Sequence, residues 1–469
     1  MRRRKALFFA IYFLFFQTIF AQGKKDSVLS FSLKTAQDYA LQNSPVVKNA
    51  NLDMESAKKK IWETTAIGLP QVNSKLAYSY QITIPDQIKE FSGLTQLGGW
   101  MYGVDQYLYM TSGNNPAFGH ITAPDPDQKP VTEKDLRWGL TYDITASEII
   151  FNGAYLVGLQ TAKIYKELSE INIARSQNDV TEQVSNAYYL VLIAQGNKVI
   201  IDSTYSNTEK IFNYVKSMNE QGFLEETDVD QMQLTVSTIK NAQDMLTRQI
   251  EVAKNLLKFQ MGIDLNKNIA LTDNLSLLIE SSDLAGIAIK DFKVENNADY
   301  KLMNTQEKLS ALNLKLQKSA LLPDIVAFYT HEENFNKNSF SFTPPNMIGV
   351  SMNIPIFGSG IKLAKISQAK IGLEKAKNSK DQVSLGLQTA FINAKSTYIT
   401  ALNNYLTKKQ NVVLAEKIYN KNIIKYKEGI IGSMELTLSQ NQYFQSQSDY
   451  YASIIDLSTA KSKLEKILK

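Results

Sequence analysis

One unusual unit is present twice in the chain, and that duplication constrains the fold more than any other feature. Leu69-Pro70-Gln71-Val72 recurs as Leu322-Pro323-Asp324-Ile325. Phe151-Asn152-Gly153 through Gln160-Thr161-Ala162-Lys163 recurs as Phe357-Gly358-Ser359 through Ser367-Gln368-Ala369-Lys370. Tyr214 to Leu234, with Gly222 at its bend, is echoed by Tyr426 to Asn441, bent at Gly429. Each unit runs from a helix ending in Leu-Pro, through two strands, into a helix pair far longer than a globular domain uses. A chain of ~450 mature residues would ordinarily divide into two or three compact domains. The repeats point instead to one elongated body.

The chain opens with Arg2, Arg3, Arg4 and Lys5, an apolar run from Ala6 to Phe20, and the small residue Ala21. That order is expected of a secretory signal over residues 1–21; the run is short for a membrane span. Its removal takes four bases from the 51 Lys and Arg and no acid from the 46 Asp and Glu, leaving a single excess positive charge. The basic balance is therefore mostly the signal's, and no nucleic-acid partner is implied. The absence of cysteine excludes both a disulfide framework and a lipid-modified cysteine anchor. After residue 21 no stretch holds the ~20 consecutive apolar residues of a membrane helix, so entry into a membrane would have to be by strands.

Strand patterns with a period of two occur where the repeats place them. Val72, Ser74, Leu76, Tyr78, Tyr80, Ile82 and Ile84 alternate with Gln71, Asn73, Lys75, Ala77, Ser79, Gln81 and Thr83, so one face is mostly apolar and the other mostly polar. Leu136, Trp138, Leu140, Tyr142 and Ile144 alternate with Arg137, Gly139, Thr141, Asp143 and Thr145, and Ile348, Val350, Met352, Ile354 and Ile356 with Gly349, Ser351 and Asn353. A fourth candidate, Asp324 to His331, alternates poorly. The expected strands are about 70–84, 136–150, 323–331 and 347–356. Each is near the ~10 residues of a tilted transmembrane strand, with aromatics toward the ends. Four strands cannot close a barrel, and an open edge in lipid leaves backbone groups unpaired at several kcal/mol each, so other copies must supply the missing strands. A half-buried soluble sheet alternates in the same way. The segment 85–135 between the first two strands reads as a long, partly folded surface loop, whereas the matching connection, about 332–345, is short.

Between Ala154 and Gln221, and between Ile361 and Glu428, there is no proline, and small or apolar residues recur at spacings of three and four. Val180, Val184, Ala187, Val191 and Ala194 form one stripe; Val383, Leu387, Ala390, Ala394, Tyr398, Ala401 and Tyr405 form another. Each stretch predicts about 100 Å of helix and needs a lateral partner. Turns at Gly222 and Gly429, read as left-handed C-cap positions, return the chain as helices to Met261 and Leu468. Thr227 followed by Asp230 reads as a capping box. Ser32 caps a short helix that stops at Asn43-Ser44-Pro45; a second then runs to Ile67, with 296–320 as its counterpart. Residues 263–295 break the helical pattern and suggest a small mixed α/β belt. The polar helix faces suit either a solvated exterior or a water-filled interior.

The ordered set of these features resembles the TolC-type outer-membrane efflux family across nearly the whole mature chain. The resemblance implies a mostly α fold with a transmembrane β-barrel: a homotrimer with a twelve-stranded barrel and a periplasmic α-helical barrel, in the outer membrane of a Gram-negative bacterium. Two efflux repeats, 22–262 and 296–469, flank the equatorial segment 263–295. It implies a passive export duct of a tripartite efflux or type I secretion system, opened by a periplasmic adaptor and an inner-membrane pump of RND or ABC type. Carried over by position, the periplasmic gate falls on Tyr426, on Asp228 as the acid it hydrogen-bonds, and on Glu435 as a constriction carboxylate. The second constriction acid is replaced by Leu438 and a basic latch residue by Ile431. Three copies of Glu435 around one axis would attract cations. The bends Gly222-Phe223-Leu224 and Gly429-Ile430-Ile431 are the expected adaptor contacts, since apolar side chains at a bend gain nothing from water.

Catalysis is not expected. His120 and His331 are read as loop residues far apart, so a metal site has no ligand set, and no phosphate-cradling loop, nucleophile elbow or cofactor motif is present. A periplasmic coiled-coil adaptor or spacer is the competing reading, although adaptors present one hairpin flanked by compact β domains. A substrate-specific uptake porin is disfavoured because helices hold most of the mass.

Overall fold

The structure is a computed structural model that describes residues 28–83, 94–117, 119, 121, 137–280, 286–335 and 344–469. The expected signal segment lies outside them. The chain divides into two compact units, one formed by residues up to 58 with 164–309 and 373–469, the other by 59–163 and 310–372.

In the first unit, Ser32 caps α1 (Leu33–Asn43) with a reciprocal box: its Oγ accepts from the Thr35 amide at 3.3 Å, and Thr35 Oγ1 accepts from the Ser32 amide at 2.7 Å. Pro45 opens α2 (Pro45–Ile67), where a missing N–H costs nothing. A short strand that the sequence did not announce, β1 (Leu29–Phe31), pairs in parallel with β4 (Ile269–Leu271) of the mixed segment. That segment also holds α6 (Leu275–Glu280) and α7 (Gly286–Ile289). Asp273, just past β4, closes the belt: Oδ2 accepts from the Leu33 amide at 2.7 Å and from the Tyr188 hydroxyl at 3.0 Å.

The long helices are α4 (Gly153–Glu220) with α5 (Glu226–Met261), and α9 (Ile361–Lys427) with α10 (Ser433–Leu468). The first stripe, from Val180 to Ala194, is buried throughout, with Val180, Val184, Ala187 and Val191 packing against Ala36, Ala40, Leu257 and Met261. Of the second stripe, Ala394, Tyr398, Ala401 and Tyr405 are buried, while Val383, Leu387 and Ala390 are half-buried. Ion pairs join α4 to α8 (Ala298–Ser319) and α10: Arg175 to Asp299 at 3.0 Å, and Lys466 to Asp179 and Glu182 at 2.7 and 2.9 Å.

The second unit holds a four-stranded antiparallel sheet in the order β2-β3-β5-β6: Gln71–Tyr80, Trp138–Phe151, Asp324–Asn334 and Asn346–Asn353. β2 stops at Tyr80, short of the expected Ile84; Gln81 still donates to the Arg137 carbonyl at 2.6 Å, but Ile82 is 83% exposed. His331 lies within β5 rather than in a loop, its Nδ1 2.9 Å from Asn346 Oδ1. The register aligns Val72 with Ala146, Leu76 with Tyr142, Tyr80 with Trp138, and Ile325 with Met352, so one face is apolar; Lys75, Asp143, Thr145 and Thr330 share the other. Val72, Leu76, Tyr78, Ile348 and Val350 are each more than two-thirds exposed, which no self-contained sheet would tolerate in water. Part of the expected 85–135 loop is helical, as α3 (Leu94–Thr111). No helix among the described residues is long and apolar enough to cross a membrane.

Candidate functional site at the hairpin bends

Both long hairpins turn by the same device. At the first, Gly222 has φ +82°, its amide donates to Asn219 O at 2.8 Å, and the Phe223 amide donates to Met218 O at 2.9 Å. At the second, Gly429 has φ +72°, with Gly429 donating to Tyr426 O at 3.1 Å and Ile430 to Lys425 O at 2.9 Å. Two nested bonds closing a left-handed residue satisfy the last helix carbonyls, and only glycine takes that conformation without steric cost.

The residues after each glycine split their roles in the same way. Phe223 and Ile430 are both 69% exposed. Leu224 and Ile431 are instead half-buried, packed on a cluster of Ile211, Val215, Met232, Tyr419, Tyr426 and Leu436 drawn from all four long helices. The expectation that all the apolar tip residues are presented outward is corrected for these two: burying them welds the bends together.

The first turns of α5 and α10 then meet. The Ser433 hydroxyl donates to Asp228 Oδ1, in a short hydrogen bond that links residues 205 apart in sequence. Tyr426, expected to hold Asp228, does not: its hydroxyl is buried and has no hydrogen-bond partner among the described residues. The hydroxyl that holds Asp228 is that of Ser433, at the start of α10. Burial, then the Asp228 charge, push the Tyr426 phenol up to about 12. The Thr227 capping box does not form either. α5 begins at Glu226 with Glu225 as its cap, so Thr227 lies inside the first turn and its hydroxyl donates to the Glu225 carboxylate at 3.3 Å. Glu226 and Asp228 there face the positive end of the helix dipole.

Glu435 stands in the first turn of α10, exposed, near the exposed Met434 and Leu438. Behind this rim the interior turns polar. Gln440, 1% exposed, donates to Thr208 Oγ1 at 2.6 Å, and Tyr419 stacks on Tyr443 with centroids 5.6 Å apart. Sequence reasoning missed Ser433, Thr208 and Gln440. Only the serine carried a local signal, as a hydroxyl directly after Gly432 at a helix start.

The deciding comparison is of the whole chain with solved structures. The CusC transmembrane channel superposes with a TM-score of 0.71 at 13% identity, covering 96% of this chain and 95% of that one. The chain has the TolC-type outer-membrane channel fold. VceC, an outer membrane protein of Vibrio cholerae, gives a TM-score of 0.66 at 13% identity over 93% of this chain and 95% of its own. The CmeC outer membrane channel of Campylobacter jejuni gives 0.69 at 14% identity, over 93% and 85% respectively. No protein-family model matches the sequence, and no curated protein does. The TolC-type fold is thus carried by geometry at identities too low for residue-level inheritance, and the Ser433–Asp228 contact belongs to this chain's own chemistry.

Proposed function

We propose that the chain is the outer-membrane duct of an export machine, working as a homotrimer and catalysing nothing itself. The observation that carries this reading is the sheet: one exposed apolar face, and two edge strands, β2 and β6, each paired on one side only among the described residues. In lipid, unpaired edge groups cost several kcal/mol each, which favours β6 of one copy joining β2 of the next until twelve strands close. The two efflux repeats, 22–262 and 296–469, each give two strands and one hairpin. The helices line the periplasmic passage, and the bends form its inner end, where Asp228, Tyr426 and Glu435 are the gate and Phe223 and Ile430 meet a periplasmic adaptor. Energy comes from an inner-membrane pump of RND or ABC type.

Fractionation tests the reading. The protein should sediment with the outer membrane and stay there when its cognate pump is deleted. Release into the soluble periplasm would mark it as an adaptor or spacer instead.

A further inference from the structure

The helix α3, inserted between β2 and β3, is amphipathic in the wrong sense for water. Tyr102, Asp105, Gln106 and Tyr109 form its half-buried side. The Asp105 carboxylate accepts from the Ile121 amide at 3.1 Å, and Gly119 sits so close to the Tyr109 ring that an added Cβ would lie 3.1 Å from it. Asp105 is the only charged residue between Leu94 and Thr111, and it is turned to the chain. The opposite side exposes Trp100 (66%), Met101 (52%), Tyr107 (68%) and Met110 (71%), with Val104 and Leu108 between them. A surface helix in water puts its charge outside and its apolar stripe inside; here the polar side is covered and the apolar side is open.

We propose that this stripe docks on the interfacial layer of the bilayer around the duct. Two observations favour lipid over another protein surface. The stripe combines aliphatic residues with a Trp and a Tyr whose rings have one polar edge, the composition that settles between headgroups and acyl chains. It is also continuous in character with the apolar sheet face, which ends in Tyr78, Tyr80 and Trp138 at the strand ends from which this connection leaves. The inference rests on the membrane reading of the sheet and adds an anchor lying in the membrane surface.

The test uses tryptophan emission from the full chain. Trp62→Phe with Trp138→Phe leaves Trp100 as the sole reporter, in phosphatidylcholine vesicles brominated either near the headgroup or near the acyl terminus. Docking predicts that headgroup-proximal bromine removes most of the Trp100 emission, that terminal bromine removes little, and that aqueous iodide reaches it poorly. Emission quenched by iodide and untouched by bromine would place the helix in water and overturn the proposal. Emission shielded from both would mean that copies of α3 cover one another, which overturns it equally. Trp62→Phe with Trp100→Phe leaves Trp138 on the sheet. Bromine quenching of Trp138 without quenching of Trp100 sinks this inference alone; no quenching of Trp138 sinks the membrane reading beneath it.

Discussion

Ser433 donates its hydroxyl to the Asp228 carboxylate, tying the first turn of one hairpin's returning helix to that of the other. Tyr426, seven residues before Ser433 at the second bend, buries a hydroxyl with no partner among the described residues. A hydrogen bond to a charged acceptor contributes about 1.5–3 kcal/mol, whereas deleting an unsatisfied buried polar group is neutral or stabilising. Ser433→Ala is therefore expected to destabilise the hairpin ends by about 1.5 kcal/mol, and Tyr426→Phe to leave stability unchanged or raise it. Denaturation of both variants in detergent checks the order; a larger loss for Tyr426→Phe would restore the tyrosine–aspartate bond that the family resemblance implies.

The same phenol sets an alkaline limit. Burial and the Asp228 charge hold Tyr426 protonated up to about 12, above its ordinary value of 10.0. Between those values the unfolded chain releases the proton and the folded one keeps it, so stability is complete below pH 10 and declines toward pH 12. Tyr443 and Tyr451, also raised by burial to about 12, act in the same sense. Tm measured across this window should fall less steeply in Tyr426→Phe than in the parent; parallel curves would contradict the assignment.

Packing at the bends separates two leucines two residues apart. Leu436 is wholly buried among residues of all four long helices, and Leu438 is 67% exposed. Leu436→Ala should cost about 2–5 kcal/mol through lost burial and the cavity left behind. Leu438→Ala should stay within about 0.5 kcal/mol of the parent. Chemical denaturation that ranked them the other way would contradict the bend cluster.

Glu435 is exposed in the first turn of α10, where three copies around an axis would form a carboxylate ring. Glu435→Gln should lower cation selectivity in single-channel recordings, with unchanged selectivity counting against the ring. Since the sequence has no cysteine, Glu435→Cys offers a single thiol for short crosslinks between copies. Failure to link within an assembled trimer would remove Glu435 from the constriction.

What the sequence disclosed was set by local backbone and periodicity. Gly222 and Gly429 were legible because a left-handed turn leaves little choice of residue, and Ser32 because its cap is completed within three residues. The strand β5 was obscure for a physical reason. Phe328 lies on the polar face, where its ring covers Gly349 across the pair, and His331 lies on the apolar face beside Asn346, so alternation breaks at both positions. The strand β1 has three residues and exists through its pairing with β4, more than two hundred residues on. Ser433 and Asp228 are likewise joined only by tertiary packing, which no spacing records. Tyr426 and Asp228 were placed near one another by resemblance, but the hydroxyl bonded to the carboxylate is that of Ser433, at the start of α10.

Everything proposed for transport depends on β2 and β6 finding partners in other copies. Native mass spectrometry of the protein extracted from outer membranes in detergent measures this directly. The account predicts a single species with three times the mass of one mature chain. A folded species with the mass of one chain would contradict it.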